Sequence, residues 1–113
     1  MHTIIDYKDF EKVEIRVGTI VSAEEKNNLR KPSIILKIDF GEKIGIKKSS
    51  AQLIKNYKSK DLINKQIAAV VNFESKQIGN LISEVLVLGF PDNSNEPILI
   101  EPNKMIPNGG KLF

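Results

Sequence analysis

Residues 34–57 read IILKIDFGEKIGIKKSSAQLIKNY. The first half alternates. Ile34, Leu36, Ile38 and Phe40 fall on one side of an extended chain, and Ile35, Lys37 and Asp39 on the other, as a half-buried strand requires. Gly41-Glu42 marks a tight connection. Ile44 and Ile46 resume the alternation and predict a further strand, with Gly45 and Lys47 on its outward face. Ser49-Ser50-Ala51-Gln52 then fits a capping box, with the Ser49 hydroxyl accepting from an amide near Gln52 and Gln52 reaching back. Leu53, Ile54 and Tyr57 continue as a helical stripe, so a short helix is expected over 50–57.

Upstream, Val13, Ile15 and Val17 alternate with Glu14 and Arg16. After Gly18 the apolar set shifts to Ile20, and a glycine at such a break predicts a bulge or bend in one long, coiled first strand. Residues 27–32 read as a loop. Downstream, 66–73 (QIAAVVNF) is nearly continuous in apolar character, as in a strand buried on both faces, which assigns Phe73 as well as Phe40 to the core. Residues 83–89 (SEVLVLG) predict a fifth strand and 97–100 a last short one. No repeat or linker interrupts the chain, so 1–113 reads as a single domain. Three strands, a short helix, then two or three strands outline a mainly β, five-stranded OB-fold: a Greek-key barrel with the helix between strands three and four, and terminal extensions at 1–12 and 102–113.

Composition narrows the chemistry. With 113 residues and 41% hydrophobic content the chain can build a real core. It has no cysteine, which excludes disulfides, thiolate nucleophiles, zinc–thiolate sites and iron–sulfur clusters. Its one histidine, His2, is read as a solvated terminal side chain, so no histidine triad or multi-histidine metal site can form within one chain. Glu24-Glu25 sits in a polar loop, Ser49 and Ser50 have no activating base, and no phosphate-cradling glycine loop occurs. No catalytic residue, metal, cofactor or enzymatic activity is therefore expected. The start of the chain lacks the apolar h-region of a signal peptide. Its longest apolar run, 67–71, is far below the ~18 residues of a membrane span. A cytoplasmic protein without membrane insertion is expected.

The net charge of +3 is unevenly spread. Residues 43–65 hold seven lysines against Asp61 alone, whereas 1–25 are acidic on balance. A basic segment suits an anionic partner such as RNA. The outward face expected of strands two and three offers Ile35, Lys37, Asp39 and Lys47 but no aromatic ring, so base stacking of single strands there is not expected.

The segments EIRVGTIVSAEE, IDFGEKIGIKKSSAQLIKNY, LINKQIAAVVNF and ISEVLVLG together resemble the CsaA-like members of the tRNA-binding-domain superfamily. Other members are the structure-specific bacterial tRNA-binding protein, the C-terminal extension of methionyl-tRNA synthetases and a domain of the phenylalanyl-tRNA synthetase beta chain. The resemblance covers nearly the whole chain. It implies an OB-fold homodimer that binds tRNA. The alternative it implies is an export chaperone that binds unfolded preproteins, with a link to SecA. Arg16 and Gly18 match the first-strand motif. Lys47, Lys48, Ser49 and Ser50 fall beside the nucleic-acid face, Asn72 matches the asparagine ending strand four, and Ser83 and Glu84 match the motif opening strand five. With Lys37 and Lys76 these are the expected RNA contacts. The chain departs from the pattern at Glu74, Ser75, Lys76 and Gln77, where relatives carry two prolines and two arginines, and at Ile82, where a basic residue is common. Ile35 and Ile82 are therefore the expected contacts for an apolar peptide. Surplus apolar residues at the chain ends, Ile4, Ile5, Tyr7 and Phe10 with Ile106, Leu112 and Phe113, are expected at a dimer interface.

Overall fold

The computed structural model describes residues 3–27 and 31–113. His2 and the middle of the expected 27–32 loop lie outside these described residues. In chain order the elements are α1 (Tyr7–Glu11), β1 (Ile15–Lys26), β2 (Ser33–Asp39), β3 (Ile46–Ala51), α2 (Ser59–Leu62), β4 (Gln66–Val70), β5 (Lys76–Ile78), β6 (Leu81–Ser83), β7 (Leu86–Val87), β8 (Gly89–Pro91) and β9 (Pro97–Leu99). Five strands form one antiparallel sheet in the order β3-β2-β1-β4-β7, and β5–β6 and β8–β9 are separate hairpins. The sheet curls into the mainly β, OB-like fold expected from the sequence.

The alternation of β2 is realised in full: Ile34, Leu36, Ile38 and Phe40 are buried at the centre of the core with Ile20, Leu53, Leu62 and Ile67. Each such side chain contributes about 1.5–3 kcal/mol by leaving water. β1 is a single long strand of 12 residues. It pairs with β4 through its first half and with β2 through its second, so it bridges the two sides of the curl. The expected irregularity lies just beyond Gly18, in a register shift between Ile20 and Ser22. Gly18 itself is required by packing. A Cβ there would stand 2.6 Å from Ile38 Cγ2 and 2.7 Å from Phe40 Cδ1.

Four expectations are corrected. First, the faces of β3 are reversed. Gly45 adopts φ 84°, a left-handed turn that inverts the alternation. Ile44 still packs on the core, but Ile46 turns outward and is exposed, while Lys47 pairs opposite buried Ile38 on the inward side. Second, the Ser49 capping box does not form, and 50–57 is not a helix. β3 runs on to Ala51, followed by one turn in which the Asn56 and Tyr57 amides donate to Leu53 O. The helix between strands three and four is α2, a single turn anchored by buried Leu62. The Ser49 hydroxyl that could have capped a helix is used elsewhere, and so is the Ser50 amide. The Ser49 hydroxyl donates to Val85 O at 3.1 Å, and Ser83 Oγ accepts from the Ser50 amide at 3.1 Å.

Third, Phe73 is 57% exposed, because β4 ends at Val70 and the chain turns outward. Fourth, the fifth strand is broken into β6, β7 and β8, and 76–82, not expected to be strand, folds with Ser83 into the β5–β6 hairpin. The interruption lies where Glu84 crosses over to β3. The Glu84 amide donates to Lys48 O at 2.8 Å, and the Lys48 amide donates to Glu84 Oε1 at 3.0 Å. The free edge of β3 is thus closed by residues 83–85 through a mixture of backbone and side-chain bonds, which leaves little unpaired edge.

Candidate nucleic-acid interface

The outward face of β2 and β3 is set by register. Lys37 stands opposite Lys48, Ile35 opposite Ser50, and Asp39 opposite Ile46. Lys37 and Lys48 are both exposed. Among the described residues, neither takes part in an ion pair. Beside this face lies the β5–β6 hairpin, with exposed Lys76 opposite Ser83 and exposed Ile82 opposite Gln77. Ile35 is half-buried. Lys47 is half-buried and projects to the other side of β3.

Several of the expected RNA contacts are tied into the framework. Ser49, Ser50, Ser83 and Glu84 form the seam between β3 and 83–85 described above. Asn72 is a staple: its Oδ1 accepts from the Glu14 amide at 3.0 Å and its Nδ2 donates to Lys12 O at 2.8 Å. It thereby fixes the chain entering β1 against the chain leaving β4. Arg16 donates from Nε to Glu14 Oε1 at 3.1 Å and from a terminal nitrogen to Gly109 O at 2.9 Å. Lys111 reaches Glu14 Oε2 at 2.9 Å. The Lys111 ammonium, and after it the Arg16 guanidinium, hold the Glu14 carboxyl below its ordinary value of 4.5. This cluster fastens the C-terminal tail, which runs alongside β1: the Val17 amide donates to Gly110 O, the Gly109 amide to Val17 O, and the Leu112 amide to Ile15 O.

The sequence reading missed three residues of structural weight. Gln66 is buried and holds the tail, donating to Ile106 O at 2.6 Å and accepting from the Ile106 amide at 3.0 Å. A lone glutamine at the start of an apolar strand is the signal that could have suggested it, since a buried amide must find partners. Lys111 was lost in a turn-rich tail. Phe73 was hidden by the continuous apolar run that precedes it.

Two hollows accompany these features. One of about 530 Å³ lies between β3, the β5–β6 hairpin and the 85–89 segment, with Phe73, Ile78 and Val87 among its walls. The other, about 440 Å³, lies between β1, Ala68 and the tail, walled by Ile15, Val17, Ile106, Leu112 and Phe113. The terminal apolar residues are largely uncovered. Ile4 is 94% exposed, and Ile5, Tyr7, Leu112 and Phe113 are exposed as well. Phe10 is partly buried beside Tyr7, their ring centroids 5.9 Å apart. Among the described residues no group of three or more potential metal ligands gathers, and no helix is long and apolar enough to cross a membrane.

A family model described as a putative tRNA binding domain matches residues 15–111. The chain belongs to the tRNA-binding-domain family. Among curated proteins, the domain is 32% identical to the methionine–tRNA ligase of Pyrococcus horikoshii over 108 residues, covering 96% of this chain and 14% of that enzyme. It is 34% identical to the methionine–tRNA ligase of Methanococcoides burtonii over 101 residues, covering 89% and 14%. The chain thus spans about one seventh of the length of these curated relatives. Among solved structures, it resembles the chaperone CsaA of Bacillus anthracis strain Ames with a TM-score of 0.92 and 44% identity, covering 98% of this chain and 100% of that one. The CsaA chaperone protein of Picrophilus torridus superposes with a TM-score of 0.88 at 50% identity, covering 97% and 100%. Arg16 and Asn72 thus have a visible task in this tRNA-binding domain. Asn72 ties the segment entering β1 to the end of β4, and Arg16 ties the C-terminal tail to β1.

Proposed function

We propose that this chain is a non-enzymatic, cytoplasmic tRNA-binding protein that recognises folded RNA through its backbone and shape. Exposed Lys37, Lys48 and Lys76 contact phosphates. Ser49, Ser50, Ser83 and Glu84 hold that face in place, and Asn72 and Arg16 fasten the segments flanking β1, rather than reading the ligand. The observation that carries this reading is the opposition of Lys37 and Lys48. Like charges directly opposite each other on a sheet are destabilising, and a polyanion laid across the face removes that repulsion. Phosphate contacts made by lysine carry little sequence information, which suits recognition of RNA shape. A filter-binding titration with tRNA at two salt concentrations tests it. Affinity should fall steeply with salt, because each neutralised phosphate releases counterions. Binding insensitive to salt, or absent at low salt, would reject it.

A second reading is that of an export chaperone that binds unfolded preproteins and is linked to SecA. Two solved neighbours at 44% and 50% identity carry the name chaperone CsaA, and Ile82 is 54% exposed on the hairpin beside the lysine face. This reading expects suppression of client aggregation with little salt dependence, because apolar contact dominates.

For either ligand the domain, 1–113, works as a homodimer. Support comes from the uncovered side chains of Ile4, Ile5 and Tyr7 and from those of Ile106, Leu112 and Phe113 around the hollow they share with Ile15, since contiguous exposed apolar surface favours an interface. A dimer presents two copies of the lysine face, and two weak sites on one large ligand gain through effective concentration.

A further inference from the structure

We propose that the hollow beside β3 receives one unpaired base of the bound RNA, and that the base stacks on Phe73 and carries an exocyclic amino group. The inference deepens the RNA reading above and rests on it.

The hollow is built for a flat, largely apolar group. Its volume of about 530 Å³ lies within the roughly 300–1,000 Å³ of small-ligand sites. Its walls include Ile78, Val85 and Val87, with Phe73 exposed among them. No ring packs against Phe73 among the described residues, where Tyr7–Phe10 is the one aromatic pair. An exposed phenylalanine beside an apolar hollow is the stacking surface that the outward face of β2 and β3 lacks. Every base offers a π-face, and an unpaired base of a folded RNA can be splayed out of its helix onto such a ring.

Charge decides which part of a nucleotide enters. Glu74, Glu84 and Glu96 line the hollow against Lys76 alone. Carboxylates repel a phosphate, so the sugar–phosphate chain stays outside. There Lys76 and Lys48 are exposed, and Lys48 is joined to Glu84 through its backbone. Inside, Glu84 is engaged by the Lys48 amide, while the Glu74 and Glu96 carboxylates are acceptors without protons to give. They pair with the amino groups of cytosine or adenine and leave uracil, whose edge carries only carbonyls and one ring N–H, with fewer partners. The hollow is continuous with the lysine face through Ser50 and Lys76, so one nucleotide can engage both.

The test uses the full chain and three RNA hairpins of identical stem: fully paired, with one bulged cytidine, and with one bulged uridine. Stacking predicts that the cytidine bulge binds roughly five- to a hundredfold more tightly than the paired stem, with uridine between them. Phe73→Ala should erase the advantage of the bulge and leave the paired stem unchanged. Phe73 is largely exposed, so this variant keeps the core. The double variant Lys37→Glu with Lys48→Glu should weaken all three hairpins alike. An NMR titration with cytidine monophosphate gives a second readout, in which the Ser50, Phe73 and Ser83 amides should shift. Equal binding of paired and bulged stems by the unaltered chain overturns the base site while leaving the RNA reading intact. Failure of every hairpin to bind overturns both. Loss of binding to an unfolded polypeptide in Phe73→Ala, with no bulge preference in the unaltered chain, overturns the proposal and assigns the hollow to a peptide.

Discussion

Lys37 and Lys48 face each other across the β2–β3 ladder, both exposed and, among the described residues, without a carboxylate partner. A chain selected for stability alone would place an acid opposite one of them. Their opposition is a small standing cost that an anionic ligand removes.

Exchanging both for glutamate is expected to weaken tRNA binding for all tRNAs alike and to flatten the dependence of log affinity on log salt by about two units, one for each lost phosphate contact. Exchanging only Lys48 for glutamate should leave the fold as stable or raise its stability by a few tenths of a kcal/mol, since it creates a cross-strand pair with Lys37. Filter binding at several salt concentrations and urea denaturation read the two effects separately. An unchanged salt slope in the double variant moves the RNA site away from this face.

Gly18→Ala is expected to destabilise the domain by about 1–3 kcal/mol, the usual cost of inserting a carbon into a packed core. The added Cβ meets Ile38 and Phe40, both fully buried side chains without room to retreat. The loss should appear as a lower denaturation midpoint at unchanged slope. Wild-type stability would show that β1 can slide away from β2 at the bulge.

Acid should release the C-terminal tail before it unfolds the sheet. The Glu14 carboxyl is held below its ordinary 4.5 by Lys111 and Arg16. Between that value and the lower one in the fold, the folded chain binds fewer protons than the unfolded chain, so stability rises with pH there. The contribution is complete above about 4.5 and is lost as pH falls through the folded value. Hydrogen exchange at the Val17 and Leu112 amides, both bonded across the tail–β1 contact, should accelerate in that acid window. In Glu14→Gln the same amides should exchange faster at neutral pH and show no acid step. Protection that is unchanged by the substitution would place the anchor elsewhere, with Gln66 the next candidate.

Sedimentation velocity at micromolar concentration is expected to give a species of twice 12.7 kDa. Leu112→Asp with Phe113→Asp should return it to one chain without unfolding it, because both side chains are exposed and only the Leu112 backbone binds β1. The monomeric variant should bind tRNA more weakly while its salt slope per chain is kept. A single 12.7 kDa species for the unaltered chain removes the dimer.

How much was legible depended on how local the signal was. The strands β1, β2 and β4 are written in their alternation or their unbroken apolar runs. Two strands joined at Gly41-Glu42 and an irregularity near Gly18 follow from such patterns, and with them the OB-like order, whereas the helix before strand four falls at α2 and not at 50–57 where the pattern placed it. Residues whose meaning depends on a distant partner were read less well. Ser49-Ser50-Ala51-Gln52 is a sound local capping box, but Val85, 36 positions away, takes the Ser49 hydroxyl, and Ser83, 33 positions from Ser50, binds the Ser50 amide. A half-closed sheet must satisfy its edge, and that demand outweighs one turn of helix.

The sequence by itself determined the strands β1, β2 and β4, the aliphatic centre of the core and the gathering of lysines in one segment, because each is set by side chains a few positions apart. Only the tertiary structure decided which lysines face outward, since the left-handed turn at Gly45 inverts β3 and exchanges the sides of Lys47 and Lys48. It also decided that Arg16 fastens the C-terminal tail, that Asn72 fastens the segment entering β1, and that Phe73 leaves the core. In each case the deciding neighbour is far along the chain, or the deciding quantity is a single backbone angle, and hydrophobic alternation carries no record of either.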